Sequence, residues 1–113
     1  MASITKNNEV LTVINVFRVR PDHQQRLINA LIEAGEKVMA RQPGYVSANI
    51  HKSHDGTRVI NYTQWRSREA YEAIFEKPEV RAHMEEILRI GKGDYHLFEV
   101  VYSHEVPLST GQA

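Results

Sequence analysis

The chain has 113 residues, no cysteine, and 14 basic side chains balanced by 14 acidic ones. That length supports one hydrophobic core but not two. The lack of cysteine excludes disulfides, thiolate metal sites and thiol nucleophiles, and makes a cytoplasmic home the default. A neutral chain without a basic run has no electrostatic footprint for nucleic acid. Its apolar stretches fall far short of a membrane span, and Met1 to Glu9 is polar, unlike a signal peptide. Neither nucleic acid nor membrane is expected as a partner.

Residues 1–8 read as an irregular or disordered N-terminus, residues 9–105 as one domain, and residues 106–113 as a polar, frayed tail. Glu9 to Val19 is rich in β-branched residues and ends at Arg20-Pro21, which predicts a first strand. Asp22 is placed to cap the next helix, with Gln25 completing a capping box. Leu27, Leu31, Ala34 and Val38 recur at helical spacing, with Ile28 and Ile32 widening the apolar stripe. Pro43-Gly44 stops that helix. Tyr45 to Lys52 and Arg58 to Trp65 then read as two strands joined by an Asp55-Gly56 hairpin. Ser67 is a candidate N-cap for a short helix over Arg68 to Glu76. A further helix is predicted from Pro78 to about Ile90, with Val80, Met84 and Ile87 on one side and Gly91 and Gly93 ending it. Asp94 to His104 reads as a long last strand.

This order predicts an α+β, ferredoxin-like split β-α-β fold, with a four-stranded antiparallel sheet and the helices on one face. Such a sheet should be apolar toward its helices and wet on the other side. Yet Ile14 and Val16 oppose Val13 and Phe17 on the first strand, and Phe98, Val100 and Tyr102 oppose Leu97 and Val101 on the last. A sheet apolar on both faces needs a second cover, and the simplest is another copy packed sheet to sheet. A homodimer is therefore expected, with the last strand contributing heavily.

No metal site is predicted. His51 and His54 flank a hairpin turn with no obvious third ligand, and His83, His96 and His104 are scattered. The serines show no nucleophile elbow, and Gly91 and Gly93 follow a helix where a dinucleotide fingerprint would precede one. Attention falls on the stretch from Asn61 to Ile74, NYTQWRSREAYEAI. Asn61, Thr63 and Trp65 share a strand face with Val59. If that face meets the helices, Asn61 is an amide in an apolar layer, where lack of a partner costs about 1–3 kcal/mol. Either backbone or Tyr71 satisfies it, or a ligand does. Trp65 is either the largest wedge of the core or the wall of a pocket.

From about Glu9 to Glu105 the chain resembles the antibiotic biosynthesis monooxygenase family, small dimeric α/β barrel proteins. The residues that carry the resemblance are PGYVSANIHKSHDGTRVINYTQWRSREAYEA, above all the run Asn-Tyr-x-Gln-Trp-x-Ser-x-x-Ala-Tyr. The resemblance implies a cofactor-independent monooxygenase that oxidises a phenolic, quinol or anthrone-like aromatic to a quinone, with dioxygen as co-substrate. It further implies that Asn61 and Trp65 bind or polarise the substrate and the developing peroxide. Tyr71 and Arg81 would donate protons or hydrogen bonds from the helices, Arg81 through the alignment of FEKPEVRAH. Phe17, Tyr45 and Phe75 are candidate apolar walls. Two alternatives stay open: a non-catalytic protein that binds small aromatic ligands, and a haem-degrading relative. In the latter His83 would fall near the haem ligand, but the aliphatic Ile74 stands where a ring-crowding tryptophan is expected.

Overall fold

A computed structural model describes residues 10–107. The strands are β1 (Leu11–Arg18), β2 (Tyr45–Lys52), β3 (Arg58–Trp65) and β4 (Lys92–Phe98); the helices are α1 (Gln24–Lys37), α2 (Arg68–Ala73) and α3 (Pro78–Ile90). The sheet order is β2-β3-β1-β4, and every neighbouring pair is antiparallel. This is the α+β, ferredoxin-like arrangement anticipated from the order of elements. Among the described residues no helix is long and apolar enough to cross a membrane.

The helices pack on one face of the sheet because their apolar stripes have no other surface to bury. Under α1 and the end of α3, Phe17, Leu27, Leu31, Ala34, Val59, Ile87 and Ile90 form one cluster. At the other end Val13, Val38, Trp65, Tyr71, Ile74 and Val80 form a second. Full burial of a side chain such as Leu27 or Val80 contributes about 1.5–3 kcal/mol, so these clusters hold the two layers together. Ile32, expected to widen the apolar stripe, is 42 % exposed.

Local signals act much as anticipated between Pro43 and Glu76. Gly44 and Gly56 both take positive φ, 87° and 81°, a conformation that L side chains avoid. The hairpin turn is tied by Asp55, whose Oδ1 accepts from the Ser53 hydroxyl and from the Thr57 backbone N–H and hydroxyl. Ser67 caps α2 by accepting from the Ala70 N–H at 3.0 Å. The helix over Arg68–Ala73 tightens into a 3-10 turn at Ile74–Glu76.

Elsewhere the structure corrects the expectations. Asp22 caps nothing: a 3-10 turn at Pro21–His23 precedes α1, and the Asp22 carboxylate pairs with Arg20 instead. Gln24 ties this end of α1 to the hairpin, donating to the Ser53 and Arg58 carbonyls. The last strand ends at Phe98, not at His104. The reason is pairing. Phe98 lies opposite Thr12, and β1 begins only at Leu11, so residues after Phe98 run out of ladder. Residues 99–107 carry no regular structure, and Val101, Tyr102 and Val106 are exposed by 71 % or more. The expected irregular N-terminus over residues 1–8 and most of the expected 106–113 tail lie outside the described residues.

Candidate active site

Between the sheet and the helices lies a cavity of about 440 Å³, within the usual 300–1,000 Å³ of a small-molecule site. Its floor is the helix-facing side of the sheet. Alternation along β1 sends Val13, Asn15 and Phe17 to that side, and alternation along β3 sends Asn61, Thr63 and Trp65. The roof comes from α1 and from Val80, His83, Met84 and Ile87 of α3. Ile32, Leu88 and Tyr95, each at least 42 % exposed, also border the cavity, which sets them at its solvent edge.

Two asparagines lie side by side on the floor. Asn15 and Asn61 are direct partners in the β1–β3 ladder. The Oδ1 atom of each is buried and has no hydrogen-bond partner. Neither backbone nor Tyr71 satisfies Asn61. Two adjacent amides are therefore held in an apolar layer without a donor for their carbonyls. A 180° turn about Cβ–Cγ exchanges donor and acceptor, so the pair can present either to whatever fills the cavity.

Trp65 backs the wall with no surface open to solvent. Its ring is locked by edge-on contacts to Tyr45 at 5.4 Å and to Tyr71 at 5.7 Å between centroids. Its indole N–H donates to the Thr63 hydroxyl at 3.1 Å. The indole proton is thus engaged inside the protein, and the ring offers the cavity its apolar surface. Tyr71 also meets Phe75 edge-on at 5.2 Å and Tyr95 at 6.4 Å. Burial, reinforced by the neighbouring Tyr95 hydroxyl, raises the Tyr71 phenol well above its ordinary range. Tyr71 therefore stays a neutral phenol, able to donate a hydrogen bond. Burial also raises Tyr45.

Of the seven residues singled out from the sequence, Phe17, Tyr45, Asn61, Trp65, Tyr71 and Phe75 all border this cavity. Arg81 does not: it is exposed and absent from the lining. Val80, Met84 and Ile87 turn the inner face of α3 to the core, and Arg81, about 100° round the helix from Val80, points away. The guanidinium expected at the site is not there.

Asn15, His83 and Tyr95 join the site without having been singled out for it. Asn15 had a signal in the sequence, since it is the polar member of the alternation Val13, Asn15, Phe17 and repeats the anomaly of Asn61. Gly93 also changes role. Read as a helix terminator, it sits within β4 opposite Phe17, where a Cβ would come within 2.8 Å of both Asn15 Oδ1 and Phe17 Cε1. A side chain there would displace the amide. Among the described residues no group of three or more His, Cys, Asp or Glu side chains is gathered closely enough to hold a metal ion.

Residues 10–86 match the family described as antibiotic biosynthesis monooxygenase. The chain belongs to this family. The tetracenomycin-F1 monooxygenase of Streptomyces glaucescens is 34% identical to it over 103 residues, 91% of this chain and 92% of that one. Among solved structures, the Streptomyces coelicolor monooxygenase from the gene ActVA-Orf6, determined in complex with nanaomycin D, is 26% identical. It covers 87% of this chain and 92% of its own length, with a TM-score of 0.75. SnoaB, a cofactor-independent oxygenase from Streptomyces nogalater, shares the fold with a TM-score of 0.69 at 19% identity, covering 84% of this chain and 96% of that one. The protein is a monooxygenase of the antibiotic-biosynthesis type, and its cavity lies on the helix side of the sheet.

Proposed function

We propose that this protein is a cofactor-independent monooxygenase that uses dioxygen to oxidise a phenolic, quinol or anthrone-like aromatic to a quinone. The observation that carries the reading is the pair of unpartnered amides, Asn15 and Asn61, on the floor of an aromatic-walled cavity. A buried acceptor without a donor costs about 1–3 kcal/mol, and a ligand hydroxyl that donates to it removes that cost. The names of the relatives point the same way: one is a tetracenomycin-F1 monooxygenase and one was solved with nanaomycin D.

The chemistry asks little of the protein. An anthrone or phenol that has lost a proton is an electron-rich enolate, and it reduces dioxygen directly. A carbon–oxygen bond forms, giving a substrate peroxide. The O–O bond then breaks as a second proton leaves the same carbon, so a CH₂ group and O₂ become a carbonyl and water. The residues bind the flat ring between sheet and helices, and the amide pair stabilises the enolate oxygen. Tyr71, held neutral by burial, donates a hydrogen bond to the developing peroxide. Trp65, fixed through Thr63, sets the shape of the wall. The same reading puts the protein in the cytoplasm.

We also expect two copies to pack sheet against sheet. Ile14, Val16, Ile60 and Tyr62 lie on the side of the sheet away from the helices and are only partly buried, and Phe98 is 46 % exposed. Sedimentation at micromolar concentration should give a dimer, and Phe98→Glu should weaken it more than a charge reversal at exposed Glu85. A monomer would refute this part.

The deciding experiment is oxygen uptake by chelator-treated, flavin-free protein on a panel of anthrones and quinols. Turnover that survives chelation and falls with Asn61→Ala, in protein that still folds, supports the proposal. Ligand binding without turnover would make this a binding protein, and turnover that needs added haem or flavin would make it a different enzyme.

A further inference from the structure

The reaction proposed above begins with loss of a proton from the aromatic, and neither the amides nor the neutral Tyr71 can accept one. Two cavity-lining side chains can: Glu36 on α1 and His83 on α3. Glu36 is exposed, whereas His83 is half-buried and borders the same cavity that the two asparagines line from the sheet. Among the described residues no hydrogen bond or ion pair engages the His83 imidazole, so both ring nitrogens are uncommitted. An imidazole is on the order of a hundredfold stronger a base than a carboxylate, and general-base efficiency improves as the base approaches the acidity of its substrate. The His83 side chain borders the chamber.

We infer that His83 is the general base that deprotonates the bound aromatic and then returns the proton to the peroxide. This step rests on the oxygenase reading above. The imidazole takes the proton from the reacting C–H or phenolic O–H, leaving the electron pair on the enolate. Dioxygen accepts those electrons as the carbon–oxygen bond forms, and the imidazolium gives its proton to the peroxide oxygen. On O–O cleavage the same ring takes the second proton from carbon, and the departing hydroxide receives it as water. Histidine ends as it began, and one O₂ is consumed for each carbonyl and each water formed. The other titratable groups that border the cavity are Glu36 from α1, Tyr45 from β2, Tyr71 from α2 and Tyr95 from β4, and Glu79 and Glu86 flank His83 on its own helix.

The test is oxygen uptake and quinone absorbance with a dihydroxyanthrone, comparing the full-length protein with His83→Gln, each with a melting curve. A general base contributes about a hundred- to ten-thousand-fold, and His83→Gln is expected to lose turnover on that scale near neutral pH. The defect should narrow as pH rises until the anthrone ionises in solution, and free imidazole should restore part of it. Deuterium at the reacting carbon should slow the variant more than the parent. A fully active His83→Gln would overturn the assignment, as would a loss that is uniform with pH and insensitive to imidazole. Glu36→Gln is measured alongside, and transfer of the pH-dependent, imidazole-rescued defect to that variant would also overturn it. Wild-type protein inert toward the whole panel would refute the oxygenase reading itself, an outcome distinct from active wild type with active His83→Gln.

Discussion

Replacing Asn61 with leucine should make the protein more stable and far less active. Leucine is close to asparagine in shape, and the change removes a carbonyl that is shut away from water and accepts no hydrogen bond. Such an atom pays its desolvation without recompense, so its removal should return about 1–3 kcal/mol. At roughly 2.1 cal/mol/K per residue, unfolding 113 residues carries about 0.24 kcal/mol/K of entropy, so the melting temperature should rise roughly 4–12 °C. Oxygen uptake on the responsive anthrone should fall roughly ten- to a thousand-fold, the range for loss of one oriented donor at a developing anion. Asn15→Leu should behave alike. Because the two residues face each other across the ladder, the double variant should gain less stability than the singles summed. Calorimetry at fixed protomer concentration supplies one half of the test and oxygen uptake the other. A lower melting temperature with unchanged turnover would show that Asn61 is an ordinary satisfied core residue.

Three further outcomes are expected. Trp65→Ala should destabilise the fold by about 3–5 kcal/mol in urea unfolding, because it empties the most confined part of the second cluster and leaves Thr63 without its donor. Gly93→Ala should cut turnover more than stability, since its Cβ would meet Asn15 Oδ1 and the Phe17 ring, and a crystal structure should show the amide displaced. Asp55 is held near a pKa of about 2, below the ordinary 3.8, chiefly by the Thr57 hydroxyl and backbone N–H and the Ser53 hydroxyl. A lowered folded pKa stabilises above the unfolded value and is lost as pH falls. Asp55→Ala should therefore lower the melting temperature at neutral pH, and the gap to the parent should close between about pH 4 and pH 2.

Much of this architecture is legible from local chemistry. Asp55-Gly56 and Ser67 act through bonds to near neighbours, so their roles depend little on the rest of the fold. The spacing of Leu27, Leu31 and Ala34 fixes a buried face for the same reason. What was not legible depends on distant partners. The β-propensity of Val100 to Tyr102 continues past Phe98, but a strand needs a neighbour, and where β1 begins is a fact about pairing. Asp22 looks like a cap until Arg20 and a 3-10 turn claim it. At the site, alternation found Asn61 and could equally have found Asn15. Arg81 was carried by an alignment, and it stands about 100° round α3 from Val80, on an exposed flank outside the cavity lining.

Trp65 is the only tryptophan in the chain, and it stands with no solvent contact behind the wall of the cavity. Its emission is therefore a single-site optical signal from the place where ligand should bind, with no second indole to dilute it. An indole shielded from water emits toward the blue, and a quinone is an efficient electron acceptor for its excited state. Product entering the chamber should extinguish the fluorescence, whereas a saturated hydrocarbon of similar bulk should leave it bright. Unlabelled protein can thus report occupancy in a cuvette, and stopped-flow traces of that light would separate binding from chemistry.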